Sequence, residues 1–296
     1  MAELKVSPDL SVSVLPDSSF LGNCCALQMD GDHLYALDID RRSVLRFDEG
    51  LTTCTSISQG GNGPGELIAP FSFLVRADSV FIMDFASSKM KVFYDGTMAR
   101  QFSFPSQTSD SRFALAGSEF IFPFRDGDYC TIRMDSERGE YVPFFEVEKY
   151  GSSEKTSTMN RVHVLSYGDK LVLLPLSLPW AKIVGMDGKE LGNIDLCQGK
   201  IYSNNVKFSH QADGLDKECY TLNADGFISG DVLYILVPEY GSTFRQNRIV
   251  KFDLKTWKMS ESSIILKGDA YSSICVGGSF LFCFNVAESQ IERYVL

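Results

Sequence analysis

The 296-residue sequence has no apolar run long enough to cross a membrane as a helix. The longest, such as KLVLLPLSLPW at 170–180, are short and broken by prolines. It has no basic run either. With 28 Lys and Arg against 38 Asp and Glu, the formal charge is −10. That charge repels DNA, RNA and anionic membrane, so nucleic acid is set aside as a partner. None of the eight cysteines (24, 25, 54, 130, 197, 219, 275 and 283) has Cys-x-x-Cys spacing, which removes tetrahedral zinc and thioredoxin chemistry. Most lie in strand-like apolar runs such as SSICVGG and FLFCFN and read as small buried hydrophobes. There are only three histidines, and no H-x-H, H-E-x-x-H or G-x-S-x-G, so metalloprotease and serine-hydrolase templates fail. No useful length of 3.6-residue periodicity occurs, which points to an all-β chain. The start, MAELKVSPDL, lacks the basic and apolar segments of a signal peptide. The chain is therefore expected to be cytoplasmic if Met1 is the native start, or a trimmed mature form otherwise.

What is present is a repeat. A hydrophobic fraction of 44%, with 22 Phe and 12 Tyr, supplies a large core for a soluble globular protein. Short β-type runs recur as LYALD (34–38), VFIMD (80–84), FIFPF (120–124), LVLLP (171–175), LYILV (233–237) and FLFCF (280–284). Their mean spacing is about 49 residues, the range of four-stranded propeller blades. A tight-turn signal precedes most of them: GD, AD, GD, GD and GG. Behind each follows an alternating segment ending in a polar turn, as in VLRFDEG, MKVFYDG and KIVGMDG, and then a fourth strand. Six such sheets bury their faces only against one another, so the expected fold is a six-bladed β-propeller of four-stranded antiparallel blades, one domain over 1–296. The last copy ends at its third strand, QIERYVL. Residues 10–15, LSVSVL, are expected to supply the missing fourth strand and remove an exposed edge.

The segment SQGGNGPGEL (58–67) could be a phosphate cradle, but no helix follows it and the Walker Lys-Ser/Thr is missing. It reads instead as the crossing from the fourth strand of blade one to the first strand of blade two, with glycine for geometry and Pro64 for stiffness. Gly61-Asn62-Gly63-Pro64-Gly65-Glu66, followed by a Phe-containing strand and VFIMD, resembles the G-x-G-P-G-E signature of NHL-like six-bladed β-propeller proteins of Gram-negative gut anaerobes. The resemblance implies this fold along the whole chain and a periplasmic or lipid-anchored, extracytoplasmic location. It implies no settled activity.

In such a fold the loops joining strands two and three share a face with the crossings into the next blade. That face carries Arg41, Arg42, Lys89, Arg125, Asp126, Trp180, Tyr240, Phe244 and Arg245. A basic and aromatic set on an acidic protein suits capture of a glycan, a peptide or a small anion, because guanidinium grips planar anions and rings stack on sugars. Ordinary solvated loop residues are the alternative. Long inserts at 148–161 and 197–220 make the face asymmetric. His163 and His210 lie at those crossings, and with Asp213 or Asp216 could act as base or ligand; solvent-exposed or hydrogen-bonded histidines are the favoured alternative. Asp38 and Asp84 end equivalent strands and, with His163, could hold calcium or another metal, or could simply cap strand ends. No cofactor is otherwise expected. Overall the chain reads as a monomeric, non-enzymatic propeller that binds a small ligand, glycan or peptide or protein partner, with a metal-assisted lyase or hydrolase of the NHL-like propeller type as the alternative.

Overall fold

In the computed structural model the described residues are 2–125, 128–135, 137–212, 220–241, 243–260 and 262–296, with only the backbone described for 209–212. Six antiparallel sheets span 24–56, 70–103, 114–146, 162–195, 225–265 and 271–295, the blades of a six-bladed β-propeller. Second strands are buried along nearly their whole length, as in Ser79–Asp84 and Phe280–Asn285, which explains their continuous apolar sequence. Fourth strands are largely exposed, as in Thr97–Ser103, and accordingly polar.

The turns between first and second strands need left-handed backbone. Gly168 supplies it in blade four at φ 58°, whereas blade two uses Ala77 and Asp78 at φ 49° and 62°. Both latter residues are in the left-handed region, the geometry that matches the right-handed twist of a hairpin.

Two compact units divide the chain. One comprises residues 1–5 and 107–266 and holds blades three to five; the other comprises 6–106 and 267–296 and holds blades six, one and two. In the first, Leu165, Val172 and Leu174 of blade four interlock with Leu233, Ile235 and Val250 of blade five. Each such buried side chain stabilises by about 2 kcal/mol. In the second, Leu37 and Val44 of blade one pack with Phe73 and Ile82 of blade two.

The second unit also shows how blade six is completed. Strand Leu10–Val12 pairs antiparallel with Gln290–Val295, placing Leu10 opposite Arg293 and Val12 opposite Ile291. Arg293 fixes the register: its Nη2 lies 2.5 Å from Asp9 Oδ2, and its guanidinium stacks 4.2 Å from the Phe280 ring centre. Inside the blade Glu292 is buried yet ionised. Burial pushes its carboxyl up, but hydrogen bonds from Tyr271, Tyr294, Asn285 and Gln290 outweigh it and hold the group below its ordinary value.

Three features depart from the sequence reading. Strand Ala2–Lys5 pairs parallel with Ser262–Ile265 and gives blade five a fifth strand. The two inserts hold helices, α1 (Ser153–Met159) and α2 (Lys200–Ala212). The buried face of α2 is Ile201, Tyr202 and Asn205, and one polar residue among three is enough to hide the helical period.

Candidate functional site

The beginnings of the first strands in blades three, four and five meet through charged groups. Asp225 opens strand Asp225–Ser229, His163 is second in Val162–Tyr167, and Arg112 lies just before Ala114–Ala116. The Arg112 guanidinium holds Asp225 bidentately, Nε to Oδ1 at 2.6 Å and Nη2 to Oδ2 at 2.7 Å. The Arg112 main-chain N–H donates to His163 Nδ1 at 3.3 Å, which leaves the ring proton on Nε2. That atom is buried without a partner. Burial pushes the His163 pKa down to about 4, only partly opposed by Asp225.

A second charged group lies on the same crossings. Asp110 Oδ1 accepts from Arg125 Nη2 at 3.0 Å and from Arg161 Nη2 at 2.6 Å. Burial raises the Asp110 pKa, but the two arginines more than offset this and hold it below the carboxylate norm. Arg161 Nε is buried and unpartnered. Among the described residues, the buried side-chain polar atoms lacking a partner are Thr131 Oγ1 and nitrogens of Arg133, Arg161, His163, Trp180 and Arg248, all of them in this unit.

Four rings gather where α2 meets the turn after the second strand of blade five. Phe208 stacks on Tyr240 at 5.2 Å between centroids, Tyr220 stands edge-on to both, and Phe244 lies 5.6 Å from Tyr240. Phe244 is 56% exposed. The helix is anchored from below: Asn205 Nδ2 donates to Pro238 O at 2.6 Å and Tyr202 OH to Asn223 Oδ1 at 2.5 Å. Tyr240 OH donates to Thr221 O at 2.9 Å, and burial pushes its phenol up to about 12, so it stays a neutral donor. Two clefts open in this unit. One, of 770 Å³, lies between the start of α2, Glu3, Glu239 and Arg248; the other, of 510 Å³, lies between α1 and Arg125, Asp128 and Lys149.

The residues singled out in the sequence fall as follows. In the first unit Tyr240 belongs to the four-ring cluster and Arg245 pairs across the strand with Glu239. Arg125 belongs to the Asp110 group, and Trp180 packs against the core between blades three and four, its ring 4.6 Å from Lys182 Nζ. His163 is a buried strand residue. The side chain of His210 lies outside the described residues, as do Asp126, Asp213 and Asp216.

In the second unit Arg41 Nη1 donates to Ser19 Oγ and Phe20 O, Arg42 is exposed, and Lys89 donates to Ser103 Oγ. Asp38 accepts the N–H groups of Gly22 and Arg41. Asp84 accepts those of Ile68 and Ala69, the Ser87 hydroxyl, and Lys91 Nζ at 2.8 Å. Both aspartates thus cap backbone, and at Asp84 a lysine already supplies the cation. Among the described residues no three His, Cys, Asp or Glu side chains gather to hold a metal.

The glycine loop is organised by Glu66. Its carboxylate accepts the Gly63 N–H at 2.7 Å and the Gln59 amide, and its carbonyl takes Lys91 Nζ. The carboxylate therefore stands where a phosphate would have to sit. Arg112, Asp225, Asp110, Arg161, Phe208 and Tyr220 were not foreseen. The one local signal was a first strand with charge at its start, R-V-H and A-D-G, where a buried strand should be apolar.

No protein-family model matches this sequence, and no curated protein matches it. Solved structures do. A member of the DUF4221 family from Bacteroides vulgatus superposes with a TM-score of 0.66 at 10% identity, covering 98% of this chain and 97% of its own. Virginiamycin B lyase from Staphylococcus aureus gives 0.59 at 10%, covering 97% and 98%. A Bacteroides fragilis protein assigned as exported gives 0.64 at 14%, covering 95% and 87%. At these identities the likeness defines the class, a six-bladed β-propeller, and nothing finer. Among the described residues no helix is long and apolar enough to cross a membrane.

Proposed function

We propose that the protein is a non-enzymatic binding propeller that takes a glycan or peptide bearing an anionic group on the turn face of blades three to five. The observation carrying this reading is the ring cluster of Phe208, Tyr220, Tyr240 and Phe244, built against the anchored helix α2, which leaves Phe244 of the turn open to solvent. Rigid, partly exposed aromatic groups bind at low entropic cost, since few torsions are frozen. The arginines of the neighbouring crossings supply charge selectivity on an otherwise acidic chain.

A lyase reading has the fold likeness to virginiamycin B lyase behind it. Against it, the described histidine nearest the face, His163, is buried and neutral with one nitrogen already committed. An extracytoplasmic, periplasmic or lipid-anchored location is supported by the fold likeness to the exported Bacteroides fragilis protein and by the NHL-like character of the 61–66 loop.

The test is a thermal-shift screen of acidic and neutral oligosaccharides and acidic peptides on wild type and Phe244→Ala. The variant should melt within about 2 °C of wild type and bind any hit at least about tenfold more weakly, the loss of one interfacial ring. Undiminished binding to Phe244→Ala moves the site elsewhere.

A further inference from the structure

Two arginine pairings in the first unit differ in kind. Arg112 and Asp225 are both largely buried and joined by two parallel hydrogen bonds, an arrangement that holds blade three to blade five. Arg125 and Arg161 instead share one oxygen of Asp110, each through a single nitrogen. Their side chains are 42% and 29% exposed, and that of Asp110 is 55% exposed.

A structural ion pair gains little from such geometry, because exposed pairs are worth little and a bifurcated carboxylate wastes the fork of each guanidinium. The group carries two positive charges against one negative, and Arg161 keeps a buried Nε–H with no acceptor. Two nitrogens that touch one oxygen are close enough together to take both oxygens of a single carboxylate.

We infer that Arg125 and Arg161 form a grip for the carboxylate of a uronic-acid oligosaccharide, with Asp110 as the internal competitor that occupies the grip between ligands. A sugar is favoured over a peptide because this face consists of turns and crossings. It offers the rings of Tyr240 and Phe244 for stacking on a sugar. Binding exchanges one carboxylate for another, so the arginines are never left desolvated and unpaired, and the cost of opening the grip is small. The inference deepens the binding reading given above and rests on it.

The experiment is titration calorimetry of the full chain with a short oligogalacturonate and with its methyl ester, which keeps the rings and removes the charge. Wild type should prefer the acid. Asp110→Asn should bind the acid about tenfold more tightly than wild type and the ester unchanged, because the competitor is gone. Arg161→Gln and Arg125→Gln should each bind the acid about tenfold more weakly, again with the ester unchanged. Arg125 is exposed, so its variant tests the grip even if Asp110→Asn disturbs its loop.

Equal affinity for acid and ester, or an Asp110→Asn variant that binds the acid no better than wild type, overturns the grip while leaving the ring cluster standing. Acid binding lost in Arg125→Gln but untouched in Phe244→Ala keeps the grip and removes the ring cluster from the site. Failure of both compounds to bind wild type and Asp110→Asn overturns the inference outright.

Discussion

Gly61 shows how one residue can be legible in type and misread in reason. Its glycine pattern suggests a need for left-handed backbone, yet neither Gly61, Gly63 nor Gly65 has positive φ. The constraint is space: a Cβ at Gly61 would sit 2.0 Å from Glu66 Oε2. Gly61→Ala should therefore cost about 1–2 kcal/mol by pushing the carboxylate off the Gly63 N–H, and urea unfolding will show it. In the background Glu66→Ala the same substitution should cost less than half as much. Equal costs in both backgrounds would refute the contact argument.

His163 makes a different prediction. Folded, its ring stays neutral down to about pH 4; unfolded, it takes a proton near 6.5. The unfolded chain thus binds more protons between those values, and stability is lost as pH falls from 6.5 towards 4. The loss attributable to this group is up to about 3 kcal/mol. His163→Gln should flatten that part of the pH profile measured by thermal melts. A profile of unchanged slope would mean the ring is hydrated in the native state. Nothing in the sequence near position 163 could reveal this, because its partner Arg112 lies 51 positions away and Asp225 sits 113 from Arg112.

At the scale of elements the sequence was most informative. Turn signals and apolar runs located the second strand of all six blades, since a strand buried on both faces must be apolar and its hairpin must turn tightly. The helices stayed hidden because their buried faces mix polar and apolar groups, as Asn205 does beside Tyr202. Strand Ala2–Lys5 stayed hidden because every residue in it is exposed, so no periodicity marks it. It is held by backbone pairing and by Glu3, whose carboxylate meets Arg248 Nη2 at 2.9 Å. The contrast with Leu10–Val12 is testable. Deleting residues 1–16 should strip the edge of blade six and give a chain that aggregates or melts at least about 10 °C lower, whereas deleting 1–5 should shift melting by only a few degrees. Similar behaviour of the two truncations would argue against the closing role of the second strand.

For the whole molecule, the fold was readable because repetition averages out local error: one misjudged run among six does not change the period. A site has no such redundancy. Its groups come from single loops, and the residues that now matter most, Asp110 and Arg161, carry no motif. The closing strand has one more consequence, and it concerns time rather than structure. Residues 10–12 leave the ribosome well before their partners in Gln290–Val295, so this pairing forms only after all the intervening blades have been made. A chain cut short by premature termination keeps Leu10–Val12 as a strand without a neighbour. Synthesis of the last blade is therefore recorded in the fold itself, as the difference between a sealed sheet and a sticky one that degradation machinery can recognise.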